Sequence, residues 1–222
     1  ETFFDPACGS GNFLTESYLS LRRLENEAIL LQTKGQMQMG FEETNPIKVT
    51  IHQFYGIEIN DFAVSTATTA LWIAESQMLK ETSKIIQFDL DMLPLKTYRN
   101  ITEGNALQID WECVVPKNEL NYIMGNPPFV GYAYQTKEQK ADLEDLMKGF
   151  GKNIDYVAGW YYKASELIKG TNIKCALVST NSITQGEQVA AIWKPMFEQF
   201  GIHFDFAYRT FRWDSEASLK AH

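Results

Sequence analysis

Two periodicities of apolar residues alternate along the chain, one typical of strands and the other typical of helices. Short runs of β-branched and aromatic residues predict strands at 2–5, 49–59, 98–104, 120–126, 174–183 and 202–210. Amphipathic spacing predicts helices at 11–32, 61–80, 136–149, 155–169 and 187–200. The stretches 33–48 and 81–97 show neither periodicity and are expected to be irregular. Strands that alternate with helices indicate an α/β fold, with a mostly parallel sheet and helices on both of its faces.

The predicted elements also carry expectations about burial. The apolar positions of the first helix recur at helical spacing and are Leu14, Tyr18, Leu21, Leu24, Ala28 and Leu31. Asn60 directly precedes the second helix and can cap it. The strand at 174–183 is apolar enough to be expected in the interior. Ligands of parallel sheets bind at the carboxyl ends of the strands, so the residues after each strand are the candidates for chemistry.

Composition narrows the class of protein. The chain has 222 residues, 45% of them hydrophobic, which suits one domain or one and a half. No uncharged apolar run is long enough to span a membrane, and no secretory signal pattern is visible. Cys8, Cys113 and Cys175 are widely spaced and match neither a disulfide nor a metal-site pattern. We therefore expect a protein of the reducing cytoplasm that holds no metal.

The two ends of the chain suggest its extent. The first residues, ETFF, are too few for a complete strand and include no methionine, and the last residues, YRTFRWDSEASLKAH, contain no turn or cap. We expect residues 1–222 to form one domain that has been cut from a longer protein at both ends.

The string DPACGSGNFL, at 5–14, follows the first strand and opens the first helix. Gly9 and Gly11 lack a Cβ, so the chain can turn sharply and a ligand can approach its backbone. The start of the helix offers N–H groups to a carboxylate, and Asp5 offers the opposite charge to an ammonium group. The loop is therefore predicted to bind an amino-acid moiety. An ordinary glycine turn is the alternative for a bare G-x-G.

Two further strand ends carry polar side chains. Glu58 ends the second strand in YGIEIN, where a free carboxylate could accept hydrogen bonds from both hydroxyls of a ribose. Asn105 follows the third strand in GNAL and could pair with an adenine edge through its donor and its acceptor. Taken alone, Glu58 could equally be a charge that faces water, and GNAL could be a plain turn.

The fourth strand ends in NPPF, residues 126–129. Pro127 and Pro128 fix the backbone and remove two N–H donors, which leaves the side-chain oxygen of Asn126 and the carbonyl of Pro127 as acceptors. Two converging acceptors suit an amino group, and Phe129 offers a flat face to a flat ring. A rigid strand stop is the alternative explanation.

In this order, the four strings resemble the motifs of the N6-adenine DNA methyltransferases that use S-adenosylmethionine, in the gamma-type motif order. DPACGSGNFL resembles their first motif, YGIEIN the second, NITEGNAL the third and GNPPF the catalytic fourth. ALVSTNSITQGEQ and FAYRTFRW resemble later strands in the branch of fused restriction–modification enzymes. The resemblance covers nearly the whole chain and implies a Rossmann-like class I methyltransferase fold. One departure is Asn105, which stands where many relatives have Asp.

The resemblance implies a role for each matching residue. The cofactor S-adenosyl-L-methionine would be bound by Asp5, Pro6, Ala7, Gly9, Gly11, Asn12, Phe13, Glu58, Ile59, Asn105, Ala106 and Leu107. The catalytic loop would consist of Asn126, Pro127, Pro128 and Phe129. The candidates for stacking on the target base would be Phe129, Phe211 and Trp213. Double-stranded DNA would be bound mainly through missing domains, and a nuclease domain could share the polypeptide.

The expected reaction methylates an adenine that has been flipped out of the duplex. Stacking on an aromatic ring is worth about 1–3 kcal/mol per base, which offsets much of the cost of flipping. Hydrogen bonds from the N6 amino group to Asn126 and Pro127 would favour a tetrahedral nitrogen and localise its lone pair. No early general base is required, so His52, His203 and His222 are expected to be structural or solvated.

Several alternatives remain open. The net charge of −8 argues against binding of DNA by phosphate attraction alone, although Arg209, Arg212 and Lys220 could rim the cleft. The charged run at 137–148 should be a solvated helix face. A methyltransferase that acts on a protein glutamine at N5, or on RNA adenine, would need the same NPP loop, and a non-catalytic S-adenosylmethionine-binding scaffold would keep the first motifs. A nuclease is not indicated, because no cluster of paired carboxylates with a lysine is evident.

Overall fold

The computed structural model describes residues 1–35, 46–86, 98–149 and 152–211. Its strands are β1 Phe3–Asp5, β2 Phe54–Glu58, β3 Ile101–Glu103, β4 Tyr122–Gly125 and β5 Lys174–Leu177. Its α-helices are α1 Asn12–Gly35, α2 Asp61–Ile86, α3 Lys137–Met147, α4 Ala158–Ile168 and α5 Gln188–Phe200. The strand order in the sheet is β3-β2-β1-β4-β5, and β1 pairs in parallel with both β2 and β4. The α/β prediction is confirmed.

The chain divides into two compact units, Glu1–Met124 and Gly125–His222. In the first unit, aromatic residues of neighbouring strands form the centre of the core. Phe3 stacks on Phe54 of β2 with ring centroids 5.0 Å apart, and on Tyr122 of β4 at 5.1 Å. Tyr18 of α1 meets Phe54 edge-on at 5.7 Å, so the strands and the first helix share one apolar cluster.

The buried face of α1 differs from the predicted stripe after its second turn. Leu14 and Tyr18 are buried as expected, but Leu24 and Leu31 are 62% and 71% exposed. The buried positions that follow Tyr18 are Arg22, Asn26 and Ile29. Two polar side chains therefore occupy the face on which an apolar pattern was expected.

Hydrogen bonds explain why this polar burial is stable. Arg22 pairs with Glu25, and its Nη2 donates to Thr82 Oγ1 on α2 at 2.5 Å. Thr82 Oγ1 in turn lies 2.7 Å from Asn26 Oδ1. A buried charge is tolerated when it is paired and hydrogen-bonded.

Thr82 lies in the part of α2 that extends beyond its predicted end at residue 80. The prediction that 81–97 is irregular is therefore wrong for residues 81–86, which belong to α2. The rest of that stretch, 87–97, lies outside the described residues.

Several predicted strands are shorter than expected, and one is absent. Residues Ile51–Gln53 form a 3-10 helix, so β2 begins only at Phe54. β5 ends at Leu177, and its residues are exposed or partly exposed rather than interior. The strand predicted at 202–210 is not formed, and its side chains are mostly exposed. Among the described residues no strand pairs with it, and an extended segment without a partner gains no ladder hydrogen bonds.

The second unit is built around α4. Tyr156 and Trp160 meet edge-on at 5.2 Å and are both buried, and α3 contributes the fully buried Leu143 and Met147. The remaining side chains of 137–148 are exposed or partly exposed, as expected for a solvated face. Within the described ranges, no helix is long and apolar enough to cross a membrane.

Candidate functional site

The loop after β1 makes a tight turn that is tied to β2. Asp5, at the end of β1, is 1% exposed, and its Oδ1 accepts the N–H of Ala7 at 2.9 Å. Cys8 donates its N–H to the carbonyl of Ile57 on β2 at 3.1 Å, and Gly11 donates to the carbonyl of Cys8 at 2.8 Å. The loop is thus shaped before α1 begins at Asn12.

The two glycines of this loop serve different purposes. Gly9 has φ +54°, and a Cβ placed there would meet nothing within 4 Å. Gly11 has φ +82°, and its Cβ would lie 2.9 Å from the Cβ of Ala67 on α2. Both glycines adopt the left-handed conformation that side chains disfavour. Gly11 allows close packing of the loop on α2, whereas Gly9 leaves its backbone open to a ligand.

Glu58, at the end of β2, supports the same loop. Its Oε2 accepts the N–H of Gly9 at 2.9 Å, and its Oε1 accepts the N–H of Asn60 at 3.0 Å. The expectation of a free carboxylate is therefore wrong, because both oxygens already position backbone. Each carboxylate oxygen still has a second lone pair for a further donor. The predicted cap is confirmed, since Asn60 Oδ1 accepts the N–H of Ala63 at 3.0 Å.

The buried carboxylate of Asp5 gives this loop its electrostatic character. Loss of solvent on burial raises the pKa of Asp5 to about 7, the Ala7 N–H acts in the opposite direction, and the charge of Glu58 raises the pKa further. Burial also raises the pKa of the Cys8 thiol, and the charges of Asp5 and Glu58 add to that effect. Two neighbouring carboxylates at the ends of adjacent strands create a site that favours a cation.

The turn after β3 holds the other candidates for the cofactor. Asn105 Oδ1 accepts the N–H of Leu107 at 2.9 Å, so the acceptor that we expected at an adenine edge closes a local turn. Ala106 and Leu107 are buried, and the Ala106 carbonyl accepts Trp111 Nε1 at 2.8 Å. Ile59 is 68% exposed, so its side chain is available to a ligand.

The remaining first-motif candidates are placed as follows. Pro6 is buried within the loop, whereas Asn12 and Phe13 are exposed at the start of α1. The Gly9–Glu58 hydrogen bond and the electrostatic interaction between Asp5 and Glu58 show that these three residues lie together.

The NPPF loop belongs to the second unit and has an unpaired acceptor. Asn126 Oδ1 is inaccessible to solvent and accepts no hydrogen bond from any residue that the structure describes. Pro127 is buried, Pro128 is exposed and Phe129 is partly buried. A buried polar atom without a partner costs free energy, so it calls for an explanation. A donor supplied by a ligand would satisfy it.

The other candidates lie in the last part of the chain or on the surface. Phe211 is 61% exposed, and Trp213, Arg212 and Lys220 lie outside the described residues. His52 is exposed, and His203 is exposed with Nε2 3.4 Å from Asp205 Oδ1. His222 is not described either. The structure describes no group of acidic, histidine or cysteine side chains that could hold a metal.

Sequence analysis assigned no role to Asp155, yet its carboxylate is a centre of hydrogen bonds in the second unit. It contacts Tyr132, Ser182 and Gln188, which come from three separate stretches of chain. The signal that could have identified it is an acidic residue between the apolar Ile154 and Tyr156.

Comparisons with known proteins agree with the motifs. Residues 1–222 match the family described as MmeI, DNA-methyltransferase domain. DNA methyltransferase A of Bacillus subtilis (strain 168) is 43% identical over 224 residues, which cover 99% of this chain and 25% of that protein. The Type II restriction enzyme and methyltransferase RM.Eco57I of Escherichia coli is 28% identical over 162 residues, 64% of this chain and 16% of that protein.

Solved structures show the same relationship. The structure of the Type IIL restriction–modification enzyme MmeI in complex with DNA superposes with a TM-score of 0.90 at 45% identity, over 98% of this chain and 29% of that one. A nuclease-deletion mutant of the Type ISP enzyme LlaGI shares the fold, with a TM-score of 0.50 at 13% identity over 89% of this chain and 17% of that one. The chain spans about a quarter of the length of DNA methyltransferase A and of the MmeI chain. It belongs to the MmeI DNA-methyltransferase domain family, which confirms the resemblance inferred from its motifs.

Proposed function

We propose that this chain carries the catalytic site of an enzyme that methylates N6 of adenine in double-stranded DNA, with S-adenosyl-L-methionine as the methyl donor. The observation that carries the proposal is Asn126 Oδ1, a buried acceptor without a partner, directly before two prolines. The N6 amino group of adenine has two N–H donors, and such an acceptor matches one of them. Family membership supports a methyltransferase that acts on DNA.

The residues of the first unit fit the proposed cofactor. S-adenosyl-L-methionine would supply an electrophilic methyl group on a positively charged sulfur. The Asp5 carboxylate, whose charge is unfavourable in its buried position, would bind the ammonium group and be stabilised by it. The open space beside Gly9 would admit the carboxylate end of the same ligand, and the first N–H groups of α1 would donate hydrogen bonds to it.

Glu58 would hold the ribose and the loop at the same time. Its two oxygens each use one lone pair on a backbone N–H, and the second lone pairs remain for the ribose hydroxyls. The exposed side chain of Ile59 follows it directly and would cover the adenine ring of the cofactor. The turn closed by Asn105, with the buried Ala106 and Leu107, would form the other boundary of the adenine site.

The second unit would bind the target base. Asn126 Oδ1 and the Pro127 carbonyl would accept the two N6–H bonds, which orients the amino group and favours a localised lone pair on its nitrogen. Pro127 and Pro128 lack N–H groups, so the backbone of the loop presents no donor that would compete at those two positions. Phe129 would stack on the flipped base, and Phe211 is a further candidate for a stacking face.

The relatives support the proposed partner. Two of the related structures are complexes with DNA, or with a DNA mimic, of restriction–modification enzymes. We propose that duplex DNA is bound mainly by parts of the polypeptide outside these 222 residues, because the net charge of −8 disfavours phosphate binding here. A nuclease domain in the same polypeptide and a cytoplasmic location belong to the same proposal.

The test is methyl transfer by the complete natural polypeptide to duplex DNA, with a radiolabelled cofactor and mass-spectrometric identification of the product. N6-methyladenine in the DNA supports the proposal. Label that appears in protein glutamine or only in RNA overturns it in favour of the corresponding alternative substrate. Cofactor binding without transfer to any of these substrates overturns it in favour of a binding scaffold.

A further inference from the structure

The NPPF loop is fastened at both ends by other segments of the second unit. Before the loop, the carbonyl of Gly125 accepts the N–H of Val178, just after β5, at 2.9 Å. After the loop, the carbonyl of Val130 accepts the N–H of Tyr156 at 2.9 Å and Gln135 Nε2 at 3.2 Å. Two consecutive prolines cannot donate backbone hydrogen bonds, so the position of the loop depends on these flanking contacts.

One carboxylate connects the flanking segments. Asp155 Oδ2 accepts Ser182 Oγ at 2.5 Å and Gln188 Nε2 at 3.2 Å, while Asp155 Oδ1 lies 3.4 Å from the N–H of Tyr132. Gln188 Oε1 accepts the N–H of Asp155 at 3.0 Å, and Gln188 Nε2 also donates to the carbonyl of Ser182 at 2.9 Å. We call Asp155, Ser182 and Gln188 the Asp155 latch.

The chemistry of the latch requires a carboxylate. All three groups that face the side chain of Asp155 are donors: a hydroxyl, an amide NH2 and a backbone N–H. An ionised carboxylate accepts all of them, and its charge strengthens each hydrogen bond. An asparagine of the same shape would place an NH2 group against one of these donors.

The latch also joins both ends of the loop through one segment. Val178 holds the residue before the loop directly, and Ser182, four residues further along the chain, holds the residues after it through Asp155. A shift of the segment after β5 would therefore move both flanks of the loop together.

We propose that Asp155 is a positioning residue for methyl transfer, and that the Asp155 latch holds the NPPF loop with Asn126 Oδ1 and the Pro127 carbonyl in place for the target amino group. This inference rests on the proposed function of that loop. Asp155 acts through the segments that flank the loop, because its side chain contacts Tyr132, Ser182 and Gln188. A displacement of about 1 Å at a reacting group can cost roughly 100-fold in rate.

The test compares Asp155→Asn with the wild type, using the complete natural polypeptide under single-turnover conditions with saturating cofactor and duplex DNA. The methyl-transfer rate should fall roughly 10- to 100-fold, by the misplacement argument. The Kd for S-adenosyl-L-methionine should stay within about twofold, because a defect in the position of the NPPF loop leaves the cofactor candidates of the first unit unchanged. Equal transfer rates for the variant and the wild type would overturn the proposal, as would a parallel loss of rate and cofactor affinity.

Asp142→Asn is the matched control. Asp142 is a second carboxylate of this unit, and its Oδ2 accepts the hydroxyl of Tyr156, the neighbour of Asp155, at 2.8 Å. Asp142 contacts the side-chain hydroxyl of Tyr156, whereas Tyr156 fastens Val130 through its backbone N–H. Its transfer rate should stay close to that of the wild type, and a fall equal to that of Asp155→Asn would show a general packing defect and overturn the assignment.

A second variant and a second measurement keep the test decisive. If Asp155→Asn does not fold, Ser182→Ala removes one donor and should give a smaller loss of rate with unchanged cofactor affinity; no loss would overturn the proposal. Hydrogen–deuterium exchange tests the latch without methyl transfer, because the amides of Tyr132 and Tyr156 should exchange faster in the variants. If the wild type transfers no methyl group, the proposed function fails, and the exchange result still decides whether the latch holds the loop.

Discussion

The two units stabilise their candidate binding groups in opposite ways. In the first unit, the side chains proposed to contact the cofactor accept hydrogen bonds from backbone N–H groups of the loops after β1, β2 and β3. The acceptors are Asp5, Glu58 and Asn105, and the donors are Ala7 for Asp5, Gly9 and Asn60 for Glu58, and Leu107 for Asn105. In the second unit Asn126 Oδ1 is buried and has no hydrogen-bond partner among the described residues. The loop after β1 is thus shaped by the same side chains that are candidates for the cofactor, whereas the NPPF loop is shaped by its flanks and leaves its acceptor unpaired.

This difference has an energetic meaning. A buried acceptor without a partner costs about 1–3 kcal/mol in the free protein, and a donor from the substrate would recover that free energy. In the first unit the unfavourable feature is a charge rather than a missing hydrogen bond, because Asp5 is buried near a second carboxylate. The first unit is therefore suited to a cation and the second to a neutral N–H donor.

The largest expected effect comes from removing the unpaired acceptor. In Asn126→Ala, single-turnover methyl transfer should slow by a few hundredfold, because a positioned polar contact in a transition state is worth about 3–4 kcal/mol. Cofactor affinity and thermal stability should not fall, since Oδ1 makes no hydrogen bond in the free protein. Asn118→Ala, at an exposed asparagine, is the control. A wild-type transfer rate in Asn126→Ala would show that the NPPF loop has been assigned the wrong role.

The next effect tests whether Glu58 both binds the cofactor and holds the loop. Hydrogen bonds to a charged group are worth about 1.5–3 kcal/mol, so Glu58→Ala should weaken cofactor binding roughly 10- to 100-fold in calorimetry. The amide of Gly9 should also exchange faster with solvent, because its acceptor is lost.

Glu103→Ala is the matched control for this variant. Glu103 is an exposed carboxylate that faces Glu58 in register on β3. It should leave both the affinity and the exchange rate unchanged. Equal cofactor affinity in Glu58→Ala and the wild type would remove Glu58 from the site.

A smaller effect is expected from the aromatic face of the second unit. Phe129→Ala should weaken capture of the flipped base by about 1–3 kcal/mol, because one stacking contact is lost while the acceptors remain. The measurement is 2-aminopurine fluorescence at the target position, with cofactor affinity measured in parallel. Tyr134→Ala removes an 85% exposed aromatic residue from the same unit and should change neither signal. If both variants reduce flipping equally, the stacking role cannot be specific to Phe129.

The last expected effect is on stability rather than on methyl transfer, and it concerns the buried charge of the first unit. The pKa of Asp5 is raised above its unfolded value, so the folded protein binds this proton more tightly, and stability falls as pH rises between about 4 and 7. Asp5→Asn cannot ionise, so it should have a higher melting temperature than the wild type. The difference in melting temperature should grow as the pH rises to about 7 and should stay constant above pH 7. The same variant should bind the cofactor poorly at every pH, because the counter-charge for the ammonium group is gone. A melting difference that does not change with pH would show that Asp5 is ionised in the folded protein throughout this range.

Most of the fold and the motif positions were predictable because they depend on local pattern. The spacing of apolar residues predicted β1, α1, α2, α3, α4 and α5, and the prolines after β4 predicted where that strand stops. Glycines at positions 9 and 11 predicted a loop with unusual backbone angles, which the positive φ values confirm. These features follow from properties of single residues and their near neighbours.

The tertiary structure alone decided features that depend on residues far apart in the chain. Arg22 is buried because Thr82, sixty positions later, accepts its hydrogen bond, and no pattern within α1 indicates that partner. The carboxylate of Glu58 supports Gly9 across 49 positions, so a side chain predicted to be free is engaged. The segment at 202–210 has the composition of a strand but finds no partner among the described residues, and a strand is stabilised by its neighbour rather than by its own sequence. The sequence thus determined which residues stand at the strand ends, and long-range hydrogen bonds determined which of them are engaged and which, like Asn126 Oδ1, still lack a partner.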